Sequence, residues 1–266
     1  MRNRIRAVFL DMDSTLYSHT IDGIPRSARL AVDRARKNNI LVFACTGRHR
    51  LEMEQLNLEG IELDGYVSVN GALCYDRTGV FYRHPVLAED MDILYRELKT
   101  NPFPCLFLEE DRMYMNYVDD HVRHVQAMIH TPVPPTEDIE RIRENPVYMF
   151  IPYTGSAVWN PVQRRMPHTA CTNWSDSAID VYAYDCNKTR GMEAVMERFS
   201  LSREEIMAVG DGPNDVEMIC FAGWGVCMGN GCDAAKKAAD EVTAAIDDDG
   251  LYRLFIKHGL ISEEEE

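Results

Sequence analysis

The sequence predicts an α/β fold, with a doubly wound, Rossmann-like parallel sheet and an inserted α+β domain. Two observations support this class. Apolar runs without alternation, such as residues 5–10 (IRAVFL) and 40–45 (ILVFAC), are typical of strands that are buried on both faces of a parallel sheet. Between them, residues 26–38 carry apolar side chains at helical spacing, and strands that alternate with helices indicate a doubly wound sheet.

The first half of the sheet is expected within residues 1–83. Its first crossover should be right-handed, as almost all crossovers between parallel strands are. The segment Asp76-Arg77-Thr78-Gly79 then predicts a turn between two antiparallel strands. The predicted elements are strand 5–10, helix 26–38 after Pro25, strand 40–45, helix 49–57, strand 66–69, and the hairpin strands 73–75 and 80–82.

The alternation stops in the middle of the chain and resumes after residue 183. We expect an inserted α+β domain at 84–183, a core at 1–83 and 184–266, and linkers near 83 and 184 that act as hinges. The insert elements are strands 104–108, 112–116, 146–151, 168–173 and 178–183, helices 88–100 and 119–130, and a helix between the strands 146–151 and 168–173. The core resumes with helix 188–199, strand 206–209, helix 214–222, strand 224–228 and helix 232–238.

Length and composition indicate a globular chain. The 266 residues allow one large domain or two modest ones, and 45% hydrophobic with 27% charged residues is near the globular average. The net charge of −15 disfavours nucleic acid as a partner, because such binding needs Lys and Arg that neutralise phosphates. No apolar run approaches the roughly 20 residues of a membrane-spanning helix, so no membrane partner is expected.

The eight cysteines indicate a reducing compartment. They are scattered through apolar segments without a C-x-x-C pair, as expected of reduced, buried thiols. The apolar stretch near the start is too short for a signal peptide. We therefore expect a cytoplasmic location, and a monomer or a weak homo-oligomer.

Four loops at the predicted strand ends and helix starts carry reactive side chains. In an open α/β sheet, ligands bind outside the carboxyl ends of the strands, so these loops should converge on one crevice. The loops are Asp11-Met12-Asp13-Ser14-Thr15, Thr46-Gly47-Arg48, Asn187-Lys188-Thr189 and Gly210-Asp211-Gly212-Pro213-Asn214-Asp215.

Four carboxylates in one crevice require a cation. Asp11, Asp13, Asp211 and Asp215 would repel one another by about 4 kcal/mol per close pair at an effective dielectric near 20. Oxygen ligands with Lys188 nearby suit Mg²⁺, whereas zinc would need Cys or His in these loops. Any one of these Asp residues alone is better explained as a turn or N-cap residue, but four together favour the metal site.

Together these motifs resemble those of the haloacid dehalogenase-like hydrolase superfamily. DMDST after the first strand, CTGR after the second, a lone Lys before a helix and GDGPND carry the resemblance, which covers 5–82 and 178–258. The insert looks like the C2B-type cap of the Cof-type phosphatases in its order of elements. The segments Val69-Asn70-Gly71-Ala72, 224–229 and Asp249-Gly250 are similar to the same subfamily.

The resemblance implies catalytic roles for several residues. Asp11 would be the nucleophile that takes the phosphoryl group, and Asp13 would be the general acid and then the base that activates water. Thr46 and the backbone of Gly47 would hold phosphate oxygens. Lys188 would neutralise charge on Asp11 and on the phosphate.

The resemblance also implies a Mg²⁺ site. Asp11, the backbone carbonyl of Asp13, and Asp211 would bind the ion. Asp215 and Asn214 would support it, either as a ligand or by holding the ligands in place.

Two residues of these loops leave alternatives open. Arg48 would either hold the substrate or pair with a carboxylate. Ser14 stands where the superfamily usually has Gly. If that position needs a positive φ, Ser costs about 1–2 kcal/mol, and if it does not, the hydroxyl adds a hydrogen bond.

The favoured function is Mg²⁺-dependent hydrolysis of a small phosphorylated metabolite, with the insert as a mobile cap. The resemblance favours a sugar phosphate, followed by cofactor phosphates such as pyridoxal phosphate or FMN. It also implies a phosphatase or phosphomutase, because dehalogenases of the superfamily lack an Asp at the position of Asp13 and ion-pumping ATPases carry Thr there. The alternatives are a phosphomutase and a non-catalytic phosphate-sensing protein, which would not need Asp13 as an acid.

Three further patterns have simpler structural explanations. His121, His124 and His130 are interpreted as a solvated helix face rather than a metal site. Gly223-x-Gly225-x-x-x-Gly229 is interpreted as strand and turn rather than a dinucleotide loop. Aromatic and basic residues of the insert are interpreted as packing residues, although one of them would face the substrate if the insert closes over the crevice. These residues are Tyr153, Trp159, Trp174, Arg164 and Arg165.

Overall fold

The computed structural model describes residues 5–58, 60–128, 131–175 and 178–263. Within these ranges the chain divides into two compact units. The first unit comprises the described residues up to Arg48, Glu52–Tyr82 and the chain from Asn187 onward, and the second comprises His49–Leu51 and Arg83–Cys186. None of the described helices is long and apolar enough to cross a membrane.

The strands and helices of both units are numbered in chain order. The strands are β1 (Ala7–Leu10), β2 (Leu41–Cys45), β3 (Gly65–Ser68), β4 (Leu73–Asp76), β5 (Gly79–Arg83), β6 (Cys105–Leu108), β7 (Met113–Met115), β8 (Met149–Pro152), β9 (Thr169–Ser175), β10 (Ala178–Ala183), β11 (Ile206–Gly210), β12 (Trp224–Cys227) and β13 (Glu241–Val242). The helices are α1 (Arg26–Lys37), α2 (Arg50–Met53), α3 (Ala88–Thr100), α4 (Asp120–Met128), α5 (Ser156–Gln163), α6 (Lys188–Phe199), α7 (Val216–Phe221), α8 (Asp233–Ala238) and α9 (Gly250–Lys257).

The first unit is built on a parallel sheet that a hairpin extends. Its strand order is β13-β12-β11-β1-β2-β3-β4-β5. Neighbours from β13 to β3 run parallel, and β4 pairs antiparallel with β3. The strand order extends from β1 in both directions, as in a doubly wound sheet, which confirms the predicted fold class.

Both faces of this sheet are covered, which explains the unbroken apolar runs. Val8 and Leu10 of β1 pack in one hydrophobic core with residues of α1 and α9. Ala7 and Phe9 of the same strand pack in a second core with residues of α6 and α7. Because successive side chains of a strand point to opposite faces, every position of β1 has to be apolar.

The second unit contains a five-stranded antiparallel sheet with its own core. Its strand order is β7-β6-β8-β10-β9. Leu94 of α3, Phe150 of β8 and Trp159 of α5 belong to one buried cluster within this unit. The predicted α+β class of the insert is confirmed, whereas its limits at residues 84 and 183 stay a prediction.

Several predicted elements differ from the observed ones. The predicted helix 49–57 is wrong beyond Met53, because Gln55 and Leu56 donate their backbone N–H groups three residues back and the chain tightens into turns. The predicted helix 214–222 begins as the 3-10 turn Pro213–Asp215 and continues as α7. The end of the predicted helix 119–130, including His130, lies outside the described residues.

Two elements of the first unit were not predicted. The strand β13 is only two residues long, which is too short to form a sequence pattern. The helix α9 buries Leu251, Leu254 and Phe255, whose spacing is helical and would have been sufficient to predict it.

The cysteines carry free thiols, as expected, but they are not uniformly buried. Cys171 and Cys232 are partly exposed. Cys220 is exposed on α7, whereas Met218 and Ile219 of that helix are buried. The prediction of buried thiols is therefore wrong for Cys220.

Candidate active site

Three parallel strands and one helix position the predicted site residues in the first unit. Asp11 directly follows β1, Thr46 follows β2, and Asp211 follows β11. Because β1 lies between β2 and β11 and runs parallel to both, these residues leave the sheet side by side. Lys188 is the first residue of α6, and the side chain of Asn187 caps this helix.

Lys188 lies between two carboxylates. Its Nζ donates to Asp11 Oδ1 at 2.5 Å and to Asp215 Oδ1 at 2.6 Å. All three side chains are buried, with Lys188 at 2% and Asp215 at 0% exposure. Buried charges persist only where they are paired and hydrogen-bonded, so Lys188 stabilises the charge of each aspartate and the aspartates stabilise the charge of Lys188.

Burial and charge shift the pKa values of these groups. Burial and then the charge of Asp215 raise the pKa of Asp11 well above its ordinary value, although Lys188 opposes the rise. Burial would lower the pKa of Lys188, but the charges of Asp11 and Asp215 outweigh it and the pKa is raised. Lys188 is therefore a permanent cation at this site.

Asp211 completes a group of three carboxylates. One oxygen from each of Asp11, Asp211 and Asp215 lies within 4.8 Å of the others. Asp215 Oδ2 accepts the backbone N–H groups of Asp211 at 2.9 Å and of Gly212 at 2.8 Å, and Thr15 Oγ1 donates to Asp211 Oδ1 at 2.9 Å. Burial raises the pKa of Asp211 to about 6, with Thr15 opposing and Asp215 adding to the rise.

This group of carboxylates can hold a hard divalent cation. Three acidic side chains face the single positive charge of Lys188, so negative charge remains in excess. Carboxylate oxygens are the ligands that Mg²⁺ prefers. Among the described residues, no other group of three acidic, His or Cys side chains lies close enough together to bind a metal.

The carboxylate of Asp13 belongs to a separate network. Arg48 Nε donates to Asp13 Oδ2 at 2.8 Å, and Arg48 Nη2 donates to Oδ1 at 2.7 Å. His19 Nε2 lies 2.8 Å from the same Oδ1. Of the two roles left open for Arg48, the structure thus shows pairing with a carboxylate. Burial would raise the pKa of Asp13, but the hydrogen bonds and charge of Arg48 outweigh it and the pKa is lowered.

The remaining predicted residues are Thr46, Gly47 and Asn214. Among the hydrogen bonds described by the structure, none joins these residues to the three carboxylates. Thr46 is buried, and its Oγ1 accepts the backbone N–H of Arg48 at 3.0 Å. Gly47 packs against Asn70, whose Oδ1 lies 3.0 Å from the position that a Cβ on Gly47 would take. Asn214 is exposed and its side chain lies over Gly212 of its own loop.

Ser14 occupies the left-handed region of the backbone, with φ of 63°. Its carbonyl accepts a hydrogen bond from Asn230 Nδ2 at 2.9 Å, and its N–H donates to Tyr17 O at 2.8 Å. Of the two alternatives for this position, the structure therefore shows the positive φ. A serine in this region is strained because its Cβ approaches the following carbonyl oxygen.

We expect Ser14→Gly to raise the free energy of unfolding by about 0.5–1 kcal/mol, because relief of strain exceeds the added backbone entropy of glycine. Urea denaturation measures the change. Ser200→Gly is the matched control, because Ser200 also has a left-handed φ, of 52°, at the end of α6. If Ser14→Gly lost stability while Ser200→Gly gained it, the claim that the backbone of Ser14 is strained would be contradicted.

Three residues in and around these loops were not predicted from the sequence. Thr15 stands in the DMDST motif, but the motif alone indicates no role for it. His19 is a lone histidine in a loop, and such a residue has no pattern that marks it. Asn70 lies in a segment noted for its resemblance to a subfamily, yet nothing in that segment pointed to a contact with Gly47.

The residues singled out in the second unit pack or face solvent. Tyr153 and Trp159 are buried, as their interpretation as packing residues requires. Arg165 is exposed and forms an ion pair with Glu97. His121 and His124 are exposed on α4, and the side chain of Trp174 is outside the described part of the chain. In the first unit, Gly225 lies within β12, in agreement with a strand and turn at 223–229.

Comparison with known proteins identifies the family. Residues 8–255 match the family model of haloacid dehalogenase-like hydrolases. The chain is 27% identical to YkrA, a protein of Bacillus subtilis (strain 168) named as a phosphatase, over 96% of this chain and 98% of YkrA. It is 26% identical to the 5-amino-6-(5-phospho-D-ribitylamino)uracil phosphatase YcsE of the same organism, over 97% and 96% of the two chains.

A solved structure of a related phosphatase supports the same family. The sugar phosphatase BT4131, described as subclass IIB of the superfamily, superposes with a TM-score of 0.81 at 29% identity, over 96% of this chain and 100% of that chain. The protein belongs to the haloacid dehalogenase-like hydrolases. It is a phosphatase of that family, as the sequence motifs indicated.

Proposed function

We propose that the protein is a Mg²⁺-dependent phosphomonoesterase of a small phosphorylated metabolite that acts through an aspartyl phosphate at Asp11. The observation that carries the proposal is the buried Lys188 between Asp11 and Asp215, with Asp211 beside them. Such an excess of buried carboxylate around one fixed cation costs stability in the metal-free protein. It is typical of a functional site, here one that binds a metal and a phosphate.

The three carboxylates would hold the metal. Asp11 and Asp211 would offer oxygens for Mg²⁺, and the backbone carbonyl of Asp13 would be a further ligand. Asp215 would serve as a ligand or fix the loop through the N–H groups that it accepts. When bound, Mg²⁺ supplies positive charge for the oxygens of the phosphoryl group.

The protein's own residues perform the transfer. An oxygen of Asp11 attacks phosphorus while the bond from phosphorus to the leaving oxygen breaks, and Asp13 gives that oxygen its proton. Asp13 then takes a proton from water, the water oxygen attacks phosphorus, and the bond to Asp11 breaks to release inorganic phosphate. Lys188 offsets charge throughout, and Thr46 with the backbone of Gly47 holds phosphate oxygens.

The ion pair with Arg48 bears on both roles of Asp13. It lowers the pKa of Asp13, so the carboxylate is ionised and ready to accept a proton from water. As an acid, Asp13 first has to gain a proton. A bound phosphate dianion favours this protonation because a nearby negative charge raises the pKa of a carboxyl group. The same dianion is an alternative partner for Arg48.

For the substrate class we propose a sugar phosphate, followed by cofactor phosphates. The resemblance to BT4131, a sugar phosphatase, supports the first, and the resemblance to YcsE supports a phosphate on a more complex small molecule. The chain leaves the first unit at Arg83 and returns at Asn187. We propose the segment between them as a cap that excludes water and selects the leaving group.

The test is phosphate release from p-nitrophenyl phosphate and from a panel of sugar and cofactor phosphates, each with Mg²⁺ and with EDTA. Release that needs Mg²⁺ is expected, and the order of kcat/KM across the panel names the substrate class. Binding of phosphorylated ligands without release would contradict hydrolysis and favour a sensor. Transfer back to a substrate oxygen, with a need for a bisphosphate activator, would favour a mutase.

Metal binding should depend on pH. Because the pKa values of Asp11 and Asp211 are raised, that of Asp211 to about 6, their charged forms cost stability. The metal-free protein should therefore lose stability as pH rises through about 6, and Mg²⁺ should raise the melting temperature more at about pH 7.5 than at about pH 5. Thermal melts with Mg²⁺ or EDTA measure both effects.

The variant Asp211→Asn separates these effects from general stability. It should raise the stability of the metal-free protein by about 1–3 kcal/mol at pH 7.5, because a carboxylate with a raised pKa costs stability of that order when it is ionised. It should also remove the rise in melting temperature that Mg²⁺ causes. Asp76→Asn is the control, since Asp76 binds Thr78 and Arg198 instead. A full Mg²⁺ shift in Asp211→Asn would contradict the metal site.

A further inference from the structure

The three residues that follow β3 have an unusual backbone. Val69, Asn70 and Gly71 all have positive φ, of 51°, 51° and 99°. Glycine adopts this region freely and asparagine tolerates it, but a β-branched valine there is a true outlier. Val69 is also fully buried, so the surrounding structure has to hold the turn in place. Such strain is typically retained where it serves a site.

One side of this turn holds the loop Thr46–Arg48. The backbone N–H of Val69 donates to Arg48 O at 3.2 Å, and that of Asn70 donates to Thr46 O at 3.1 Å. The side chain of Asn70 lies against Gly47 between these two bonds, with Oδ1 only 3.0 Å from the position of an added Cβ. The turn thus fixes the loop at both ends and in the middle.

The other side of the turn contacts the start of α6. A Cβ on Gly71 would stand 1.9 Å from the backbone oxygen of Asn187 and 3.3 Å from the nitrogen of Gly191. Conversely, a Cβ on Gly191 would stand 3.0 Å from the Cα of Gly71. The turn therefore touches both the loop that would hold phosphate oxygens and the helix that begins with Lys188.

We propose that Asn70 is a positioning residue that fixes the loop Thr46–Gly47–Arg48 relative to Lys188, so that their phosphate-binding groups converge. The left-handed turn lets one side chain lie on Gly47 while the adjacent glycine lies on α6. The inference rests on the proposed function, because it gives Asn70 a role in positioning the phosphate-binding loop rather than a role in stability alone.

The variant Asn70→Gly tests this directly. Glycine keeps the left-handed backbone, so only the side chain against Gly47 is lost. We expect kcat/KM to fall by about 10- to 100-fold, because small misplacements of binding groups cause losses of this size. The inhibition constant of inorganic phosphate should rise about 10-fold. Asn39→Gly is the matched control, since Asn39 has a φ of 61° just after α1. It should leave both constants unchanged.

A second variant approaches the same contact from the loop. In Gly47→Ala the new methyl group meets Asn70 Oδ1, so the inhibition constant of phosphate should rise, and the addition of Asn70→Gly should restore part of the loss by opening space. An unchanged constant in Gly47→Ala, or purely multiplicative losses in the double variant, would overturn the proposal. Gly47→Ala therefore tests the contact even if Asn70→Gly does not fold.

The outcomes also separate this inference from the proposed function. If the unmodified protein releases no phosphate from any phosphomonoester and is not inhibited by inorganic phosphate, the proposed function fails. If the unmodified protein is active and Asn70→Gly matches Asn39→Gly in kcat/KM and phosphate inhibition, only the role of Asn70 fails.

Discussion

Asp11→Asn should lower the rate of phosphate release by on the order of 10³-fold or more, because an amide cannot act as the nucleophile. The variant should fold, since Asn keeps the shape and an oxygen that can accept from Lys188 Nζ. Its metal-free form should be at least as stable as the unmodified protein, because the replaced carboxyl group has a raised pKa. Steady-state kinetics and thermal melts measure the two effects.

The control for Asp11→Asn is Asp76→Asn. Asp76 also belongs to the first unit and accepts hydrogen bonds from Arg198 and Thr78, but it follows no strand of the parallel part of the sheet. It should keep normal turnover and lose about 1 kcal/mol of stability with its hydrogen bonds. Substantial Mg²⁺-dependent turnover in Asp11→Asn would remove the covalent mechanism.

Lys188→Met should cost about 3–5 kcal/mol of stability, because two buried carboxylates lose their shared partner. Turnover should also fall by about 10²- to 10³-fold, because the positive charge that we propose for neutralising Asp11 and the phosphate is gone. Methionine has a similar length and no charge, so packing is largely kept. Urea denaturation with EDTA measures the stability and phosphate release measures the turnover.

Two further variants define the cause of this loss. Lys257→Met removes a lysine that pairs with Glu241 at the surface, and it should change stability by less than about 1 kcal/mol. Asp215→Asn added to Lys188→Met should recover much of the stability and none of the turnover, since one unpaired buried charge is removed. If Lys188→Met were as stable as Lys257→Met, the electrostatic account of the site would be wrong.

The apolar runs were sufficient to predict the parallel sheet, because burial on both faces leaves no room for polar residues in β1 or β2. The Asp-rich loops could also be predicted, because carboxyl ends of parallel strands lie together. The limits of α2 could not be predicted, because the turns after Met53 depend on local hydrogen bonds that the spacing of apolar residues does not show.

Partners within the site were harder to predict than its members. No sequence pattern shows that the guanidinium of Arg48 binds Asp13, because the two residues are far apart in sequence. His19 reaches Asp13 from a loop without periodicity. The positive φ of Val69 runs against the preference of valine, so only the three-dimensional contacts of the turn show it.

The most direct measurement of the central claim is the chemical trapping of the phosphorylated residue. The Asp13→Asn variant should accumulate the intermediate with p-nitrophenyl phosphate, because this good leaving group needs little acid help and water then lacks its base. Borohydride reduction followed by peptide mass spectrometry should find homoserine at position 11. Homoserine at another aspartate, or none while p-nitrophenol is released in a stoichiometric burst, would contradict Asp11 as the nucleophile.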